Sequence, residues 1–188
     1  RQLNMDELKA LYLIHDGTQG SWNRDGFDDP SVQFHNNVYW SRYMNYENDS
    51  RNRIYGNVGL SYQILPQLKA QYKANLDFYV DKQYERNAVY SQELSAYKES
   101  SRQQYELNHE FMLMYNQAFG DYSVTANLGA NIMQRHYELI YGQTQGGLAI
   151  PLYYNLANSI TTPKAYNYKL EKGINSLFGD VTIGWKSM

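Results

Sequence analysis

Leu68-Lys69-Ala70-Gln71-Tyr72-Lys73-Ala74-Asn75-Leu76-Asp77-Phe78-Tyr79-Val80-Asp81 alternates almost without a break. The even positions, Leu68, Ala70, Tyr72, Ala74, Leu76, Phe78 and Val80, are all apolar or aromatic. The odd positions, Lys69 to Asp81, are polar or charged except for Tyr79. Successive side chains of a strand point to opposite faces, so a period of two predicts a strand with one greasy wall and one wet wall. The alternation holds well beyond the ~5–6 residues of an ordinary strand.

The same pattern continues on both sides. Upstream, Ile54, Gly56, Val58, Leu60 and Tyr62 alternate with Arg53, Tyr55, Asn57, Ser61 and Gln63. Ile64-Leu65-Pro66-Gln67 then reads as a turn of about four residues, because proline cannot donate to a ladder. Downstream, Tyr105, Leu107, His109, Phe111, Leu113 and Tyr115 share one face, against Glu106, Asn108, Glu110 and Asn116. Met112 and Met114 fall on the second face. Ala118-Phe119-Gly120-Asp121 predicts another short turn. Tyr122, Val124, Ala126, Leu128, Ala130 and Ile132 follow, and finally Leu177, Val181, Ile183 and Trp185 opposite Ser176, Asp180, Thr182 and Lys186.

These segments predict five strands at about 51–64, 68–85, 99–117, 122–138 and 170–186, joined alternately by short turns and long loops at 86–98 and 139–169. Residues 1–50 read as a further loop region, and Asn4 to Leu13 as a short helix capped by Asn4. The fold class is all-β: about five strands of an antiparallel transmembrane β-barrel, with the long loops on the extracellular side. Aromatics near the strand ends, Tyr62, Tyr115, Tyr122 and Trp185, fit an interfacial girdle. Five strands cannot close, and an open edge in lipid leaves backbone groups unpaired, so the strands must continue into other strands of the same barrel.

The composition agrees. Aromatic residues make up 15% of the 188, with 20 Tyr, yet the mean hydropathy is strongly polar. No run reaches the ~18 apolar residues of a spanning helix, whereas a barrel strand spends only alternate residues on lipid. Cysteine is absent, which excludes disulfides and thiolate chemistry. The net charge of −2 offers no basic block for nucleic acid. Arg1-Gln2-Leu3 and Lys186-Ser187-Met188 read as the middle of a longer chain, with no signal peptide in front.

Arg51-Asn52-Arg53-Ile54-Tyr55-Gly56-Asn57-Val58-Gly59-Leu60-Ser61-Tyr62 resembles a barrel strand of the SusC/RagA-type TonB-dependent importers. So do Leu128-Gly129-Ala130-Asn131-Ile132 and Ile174-Asn175-Ser176-Leu177-Phe178-Gly179. Gly146-Gly147-Leu148 with Pro151 to Ser159 resembles a loop between middle strands, and Asp16-Gly17-Thr18-Gln19 with Ser21-Trp22-Asn23 resembles the loop upstream. The resemblance implies a middle piece of a barrel of about 22 strands in the bacterial outer membrane. It implies an internal plug, a SusD-like surface lipoprotein as lid, energy from TonB through an N-terminal part this sequence lacks, and oligosaccharide or oligopeptide cargo. On this reading the piece alone transports nothing.

Dedicated chemistry is sparse, and no enzyme or cofactor motif appears. Asp16, Asp25, Asp28 and Asp29 sit in a Gly-rich loop as weak Ca²⁺ candidates, but without EF-hand spacing. His15, His35, His109 and His136 have no metal-ligand spacing. Glu106 and Glu110 share a strand face, which fits lumen lining better than a glycosidase pair. The loop aromatics Trp22, Tyr39, Trp40, Tyr141, Tyr153 and Tyr154 are the candidate cargo or lid contacts, with Tyr43, Tyr46, Tyr166 and Tyr168 beside them. Leu68, Tyr72, Leu76, Phe78, Leu113, Val124, Leu128 and Val181 are expected to face lipid. Lys69, Lys73, Asn75, Asp77, Asn127 and Asp180 are expected to face the lumen. Two other readings fit the pattern: a passive porin-type barrel without a plug, and a soluble carbohydrate-binding β module.

Overall fold

The computed structural model describes residues 3–186. It contains one antiparallel sheet of five strands in the order β1-β2-β3-β4-β5. The strands are β1 Glu47–Leu65, β2 Leu68–Asn87, β3 Ala96–Phe119, β4 Tyr122–Leu148 and β5 Ser159–Trp185. Two short helices precede them, α1 Met5–Ala10 and α2 Val38–Met44. The fold class expected from the alternation is the fold observed: a segment of antiparallel β-barrel wall. Two turns are tighter than expected, with only Pro66-Gln67 and Gly120-Asp121 between strands. Gly120 has φ +61°, a conformation glycine adopts without steric cost.

The main correction concerns the segment 139–169, expected as loop. β4 runs on to Leu148 and β5 begins at Ser159, so the connection is only 149–158. The reason lies in the pattern: here neither face is uniformly apolar, so the period of two disappears although the ladder continues. The loop expected at 86–98 shortens to 88–95, and β1 starts at Glu47, ahead of Arg51. The helix expected from Asn4 to Leu13 covers Met5–Ala10, with the Asn4 side chain accepting from the Asp6 and Glu7 amides.

The described chain falls into two compact units. The wall unit comprises Arg51–Val80, Arg102–Leu139 and the residues from Tyr168 on. The loop unit comprises the residues up to Ser50, Asp81–Ser101 and Ile140–Asn167.

In the wall unit the alternation becomes two physical faces. Tyr72 packs its ring on Phe111 at 4.8 Å and bonds His109, placing the even residues of β2 with the odd residues of β3. Leu68, Leu113, Tyr115, Ala126, Leu128 and Val181 line one shallow groove on this face. On the opposite face Arg53 clamps Asp77 at 2.8 and 2.7 Å, and Arg135 clamps Glu106 at 2.8 and 2.6 Å. The apolar belt takes roughly 11 residues from each of the middle strands. A transmembrane β-strand needs ~9–11 residues, so these strands are long enough to cross a bilayer.

The loop unit is built differently. Its buried side chains include Leu8, Trp40, Ala88 and Leu148, a small apolar set, beside the polar Gln19, Asn37, Thr144 and Asn158. Asn37 is its hub. Its amide Nδ2 donates to the carbonyls of Leu8 and Gly20, both at 2.7 Å, and its Oδ1 caps α2 through Tyr39 N at 2.9 Å. A single asparagine thereby ties α1, α2 and the strand-like segment at Gly20 into one body. Asn158 does the same for the 149–158 connection, donating to Ile150 O at 2.7 Å and Tyr153 O at 2.6 Å. Buried amides replace apolar mass because each satisfies several backbone groups at once.

Candidate functional site

A strand's side chains divide between two environments, so the site of a barrel wall is its two faces rather than a pocket. On the apolar face of the wall unit the exposed side chains include Val58, Leu60, Tyr62, Leu128, Leu177, Val181 and Ile183, with Leu177 78% exposed. Large exposed apolar patches are rare on monomeric soluble proteins and mark a surface that meets lipid or more protein. Tyr72, Leu76, Phe78 and Val124 lie on the same alternate positions. His109 lies within the belt, and its Nδ1 is bonded to the Tyr72 hydroxyl at 2.7 Å; His136 stacks on Tyr105 at 5.3 Å on the same side of the sheet. A polar pair on an apolar face is tolerable because each group satisfies the other.

The second face carries charge. The Arg53–Asp77 and Arg135–Glu106 pairs occupy neighbouring strands, and Asn108 donates to Glu106 at 3.0 Å. Asn127 donates to the Asp180 carboxylate at 3.2 and 3.0 Å. Arg51 lies 5.2 Å from the centre of the Tyr79 ring. Asp77, Asn127 and Asp180 are therefore together on the polar face, and Lys69, Lys73 and Asn75 share it by alternation along β2. Glu106 is engaged by Arg135, an arrangement unlike a free general acid. Phe178 is an exception on this face: its ring covers Gly129 so closely that a Cβ there would overlap it. The ring shields a backbone that glycine leaves bare.

The candidate loop aromatics do not form one set. Trp40 is fully buried, and its indole N–H donates to Gly17 O at 2.9 Å, so it is core and no contact surface. Its position on a short helix capped by Asn37 turns it inward. Tyr39 is half-buried beside it. The Tyr154 hydroxyl accepts from Val89 N at 3.0 Å, and the Arg86 guanidinium lies between the rings of Tyr46 and Tyr154, 4.1 and 4.8 Å from their centres. Tyr141 stacks on Tyr166 at 4.9 Å. Trp22 and Tyr153 remain exposed. Tyr154 is thus committed to packing, whereas Trp22 and Tyr153 pack on little of the described chain.

The acidic loop residues Asp16, Asp25, Asp28 and Asp29 do not converge. Among the described residues no three His, Cys, Asp or Glu side chains are placed to hold a metal ion. Asp29 turns back on its own loop. The hydroxyl and backbone N–H of Ser31 both bond its carboxylate and hold it below the ordinary aspartate pKa. Asn37, Gln19 and Asn158 organise the loop unit and were not singled out from sequence. The available signal was an Asn directly ahead of a helical stretch at Asn37, which marks a cap but not a hub.

The fold and the two faces define a class: a stretch of antiparallel wall from a large membrane-type β-barrel. Among solved structures, the chain is similar to the RagAB peptide importer in its closed-closed state, with a TM-score of 0.73 at 14% identity. That match covers 84% of this chain and 18% of the other. It is equally similar to a structure of the RagAB peptide transporter, with a TM-score of 0.73 and 14% identity over 94% of this chain and 19% of the other. The chain therefore spans about a fifth of the length of the proteins it resembles, and at this identity the likeness is one of fold. No family model matches the sequence, and no curated protein matches it.

Proposed function

We propose that this chain is part of the barrel wall of a TonB-dependent outer-membrane importer that takes up oligopeptides or oligosaccharides together with a SusD-like surface lipoprotein. One observation carries the reading: a sheet of long strands with an apolar face and a charged opposite face, whose end strands β1 and β5 are each paired on one side only. Such a sheet is stable in lipid only as part of a closed barrel. The apolar face meets lipid, the charged face lines the lumen, and the remaining strands, the plug and the TonB-contacting segment belong to the rest of the protein. The similar structures are a peptide importer and a peptide transporter, which favours oligopeptide over oligosaccharide as cargo.

The test uses the full-length protein in intact cells. Single cysteines replacing Lys73, Asn75 or Asn127 are expected to react with a small membrane-impermeant maleimide. Cysteines replacing Leu76, Leu128 or Val181 are expected to stay unreactive until detergent is added. The reverse labelling would invert the wall. Uptake of short peptides by the same cells is expected to stop when an uncoupler collapses the proton-motive force. Uptake that continues unchanged marks a passive pore and overturns the importer.

A further inference from the structure

Three described non-glycine residues of the loop unit have a left-handed backbone: Asp16 at φ +47°, Tyr90 at +75° and Leu152 at +65°. One lies in each section of that unit, the residues up to Ser50, Asp81–Ser101 and Ile140–Asn167. For a tyrosine positive φ is a steric outlier, and it persists only where the surroundings hold it. Tyr90 is held from two sides.

On the first side, the buried Gln19 donates its Nε2 to Tyr90 O at 3.0 Å and to Asn36 Oδ1 at 2.7 Å, while its Oε1 accepts from Asn37 N at 2.7 Å. A Cβ on Gly17 would stand 3.6 Å from the Tyr90 ring. Asn36 Oδ1 also accepts from Gln92 N at 2.8 Å, and Asn45 Oδ1 accepts from Ala88 N at 2.7 Å. On the second side, the Tyr154 hydroxyl accepts from Val89 N at 3.0 Å. Its ring rests on the Arg86 guanidinium, whose Nε donates to Met44 O at 2.8 Å. The amides of Ala88, Val89 and Gln92 are thus all bonded to side chains of the other two sections. Withdrawal of Tyr154 frees Val89, and with it the φ of the next residue. Rotation about that φ swings the Tyr90 carbonyl away from Gln19.

We propose that residues 86–92 form a strained latch with two states. In the closed state, the one seen, Tyr154 and Gln19 hold Tyr90 at positive φ. In the open state Tyr90 has returned to negative φ and both partners are released, so that 149–158 and 17–45 loosen together. Coupling between two sites needs an element with two arrangements that both sites bias, and Tyr90 is that element. The latch is independent of the importer reading, because its contacts all lie within the loop unit.

Amide hydrogen exchange of the full-length protein in detergent, read by mass spectrometry, tests it. Tyr154→Phe removes the hydroxyl and keeps the ring. It is expected to accelerate exchange about fivefold or more, at 88–92 and also at Gly20 and Asn37. Gln19→Leu is expected to act in the opposite direction along the chain, accelerating exchange at Val89 and in 149–158, because coupling is reciprocal. Two further variants both lack the ring and isolate the strain. Tyr90→Gly adopts positive φ freely, whereas Tyr90→Ala keeps the penalty. Exchange at 88–92 and Asn37 is expected to be at least about fivefold slower in the glycine variant than in the alanine variant. Residues 54–64 of the wall unit are expected to exchange at the wild-type rate in all four. If Tyr154→Phe and Gln19→Leu each loosen only their own section, or if the glycine and alanine variants exchange alike, the latch is refuted. Exchange that rises equally in 54–64 also refutes it, since the loop unit would then have no opening of its own.

Discussion

A histidine within an apolar belt needs a partner, and Tyr72 supplies one. The hydroxyl meets His109 Nδ1 at 2.7 Å while the tyrosine ring rests on Phe111. One residue therefore serves the belt with its ring and the imidazole with its tip. On the proposed reading that this face meets lipid, removing only the hydroxyl leaves the imidazole nitrogen unsatisfied where water is excluded. Tyr72→Phe is expected to destabilise the full-length barrel by roughly 1–3 kcal/mol, the penalty of an orphaned buried polar group. Tyr72→Phe combined with His109→Phe is expected to recover most of that loss, because replacing both partners by apolar groups removes the orphan. Urea unfolding in detergent micelles measures both. A double variant no more stable than the single one would show that the pair is not the unit. From sequence, His109 could be placed on the apolar face, but its partner could not: Tyr72 is two strand positions away in register, and register lies in the ladder rather than in either strand alone. Trp40 shows the converse limit. Its neighbours Tyr39 and Tyr43 made the stretch look like an exposed aromatic loop, and only the cap at Asn37 decides that the indole points inward.

At the scale of the element, alternation revealed the strands only where the two faces differ. In the wall unit they differ sharply, and the strand cores at 54–64, 68–80, 105–115 and 122–132 were legible for that reason. β4 and β5 each run 27 residues, far longer than a bilayer belt requires. In their loop-unit parts they carry Tyr141, Thr144, Gln145 and Tyr166 with no greasy side to betray a period. The glycines were legible as anomalies and not as contacts. Gly129 and Phe178 face each other across β4 and β5, and the ring occupies the space a Cβ would need. Gly129→Ala is expected to cost about 1–3 kcal/mol by forcing the ring aside. In a Phe178→Ala background, which empties that space, the same substitution is expected to cost much less. The midpoint of the heat shift on a semi-native gel reports both. Equal costs in the two backgrounds would mean that the ring is not what excludes a side chain at 129.

For the whole molecule, connection length sets direction. Two-residue turns join β1 to β2 and β3 to β4, while the other connections are longer and belong to the loop unit. Short turns on the periplasmic side and long connections outside are the rule for outer-membrane barrels, and the reason is assembly and function: the outer loops meet cargo and partners, whereas the inner turns need only reverse the chain. The expectation is therefore that residues 3–46, 88–95 and 149–158 lie outside the cell. Two bends there are open to attack, the one at Phe27 and the one at Leu152-Tyr153, whose side chains are 66% and 53% exposed. The strands themselves keep their backbone in the ladder and resist a protease, which needs an extended, unpaired segment. A chymotrypsin-like protease added to intact cells is expected to cut the full-length protein at these bends. Cells lacking the surface lipoprotein should be cut faster than cells that have it, because a lid over the loops would cover the bends. Cutting that begins only after the outer membrane is permeabilised would overturn the orientation of every strand. Equal cutting with and without the lipoprotein would leave the orientation standing and remove the lid from these loops. The two parts of the expectation can therefore fail separately: orientation rests on the turns, and the lid rests on the exposed aromatics.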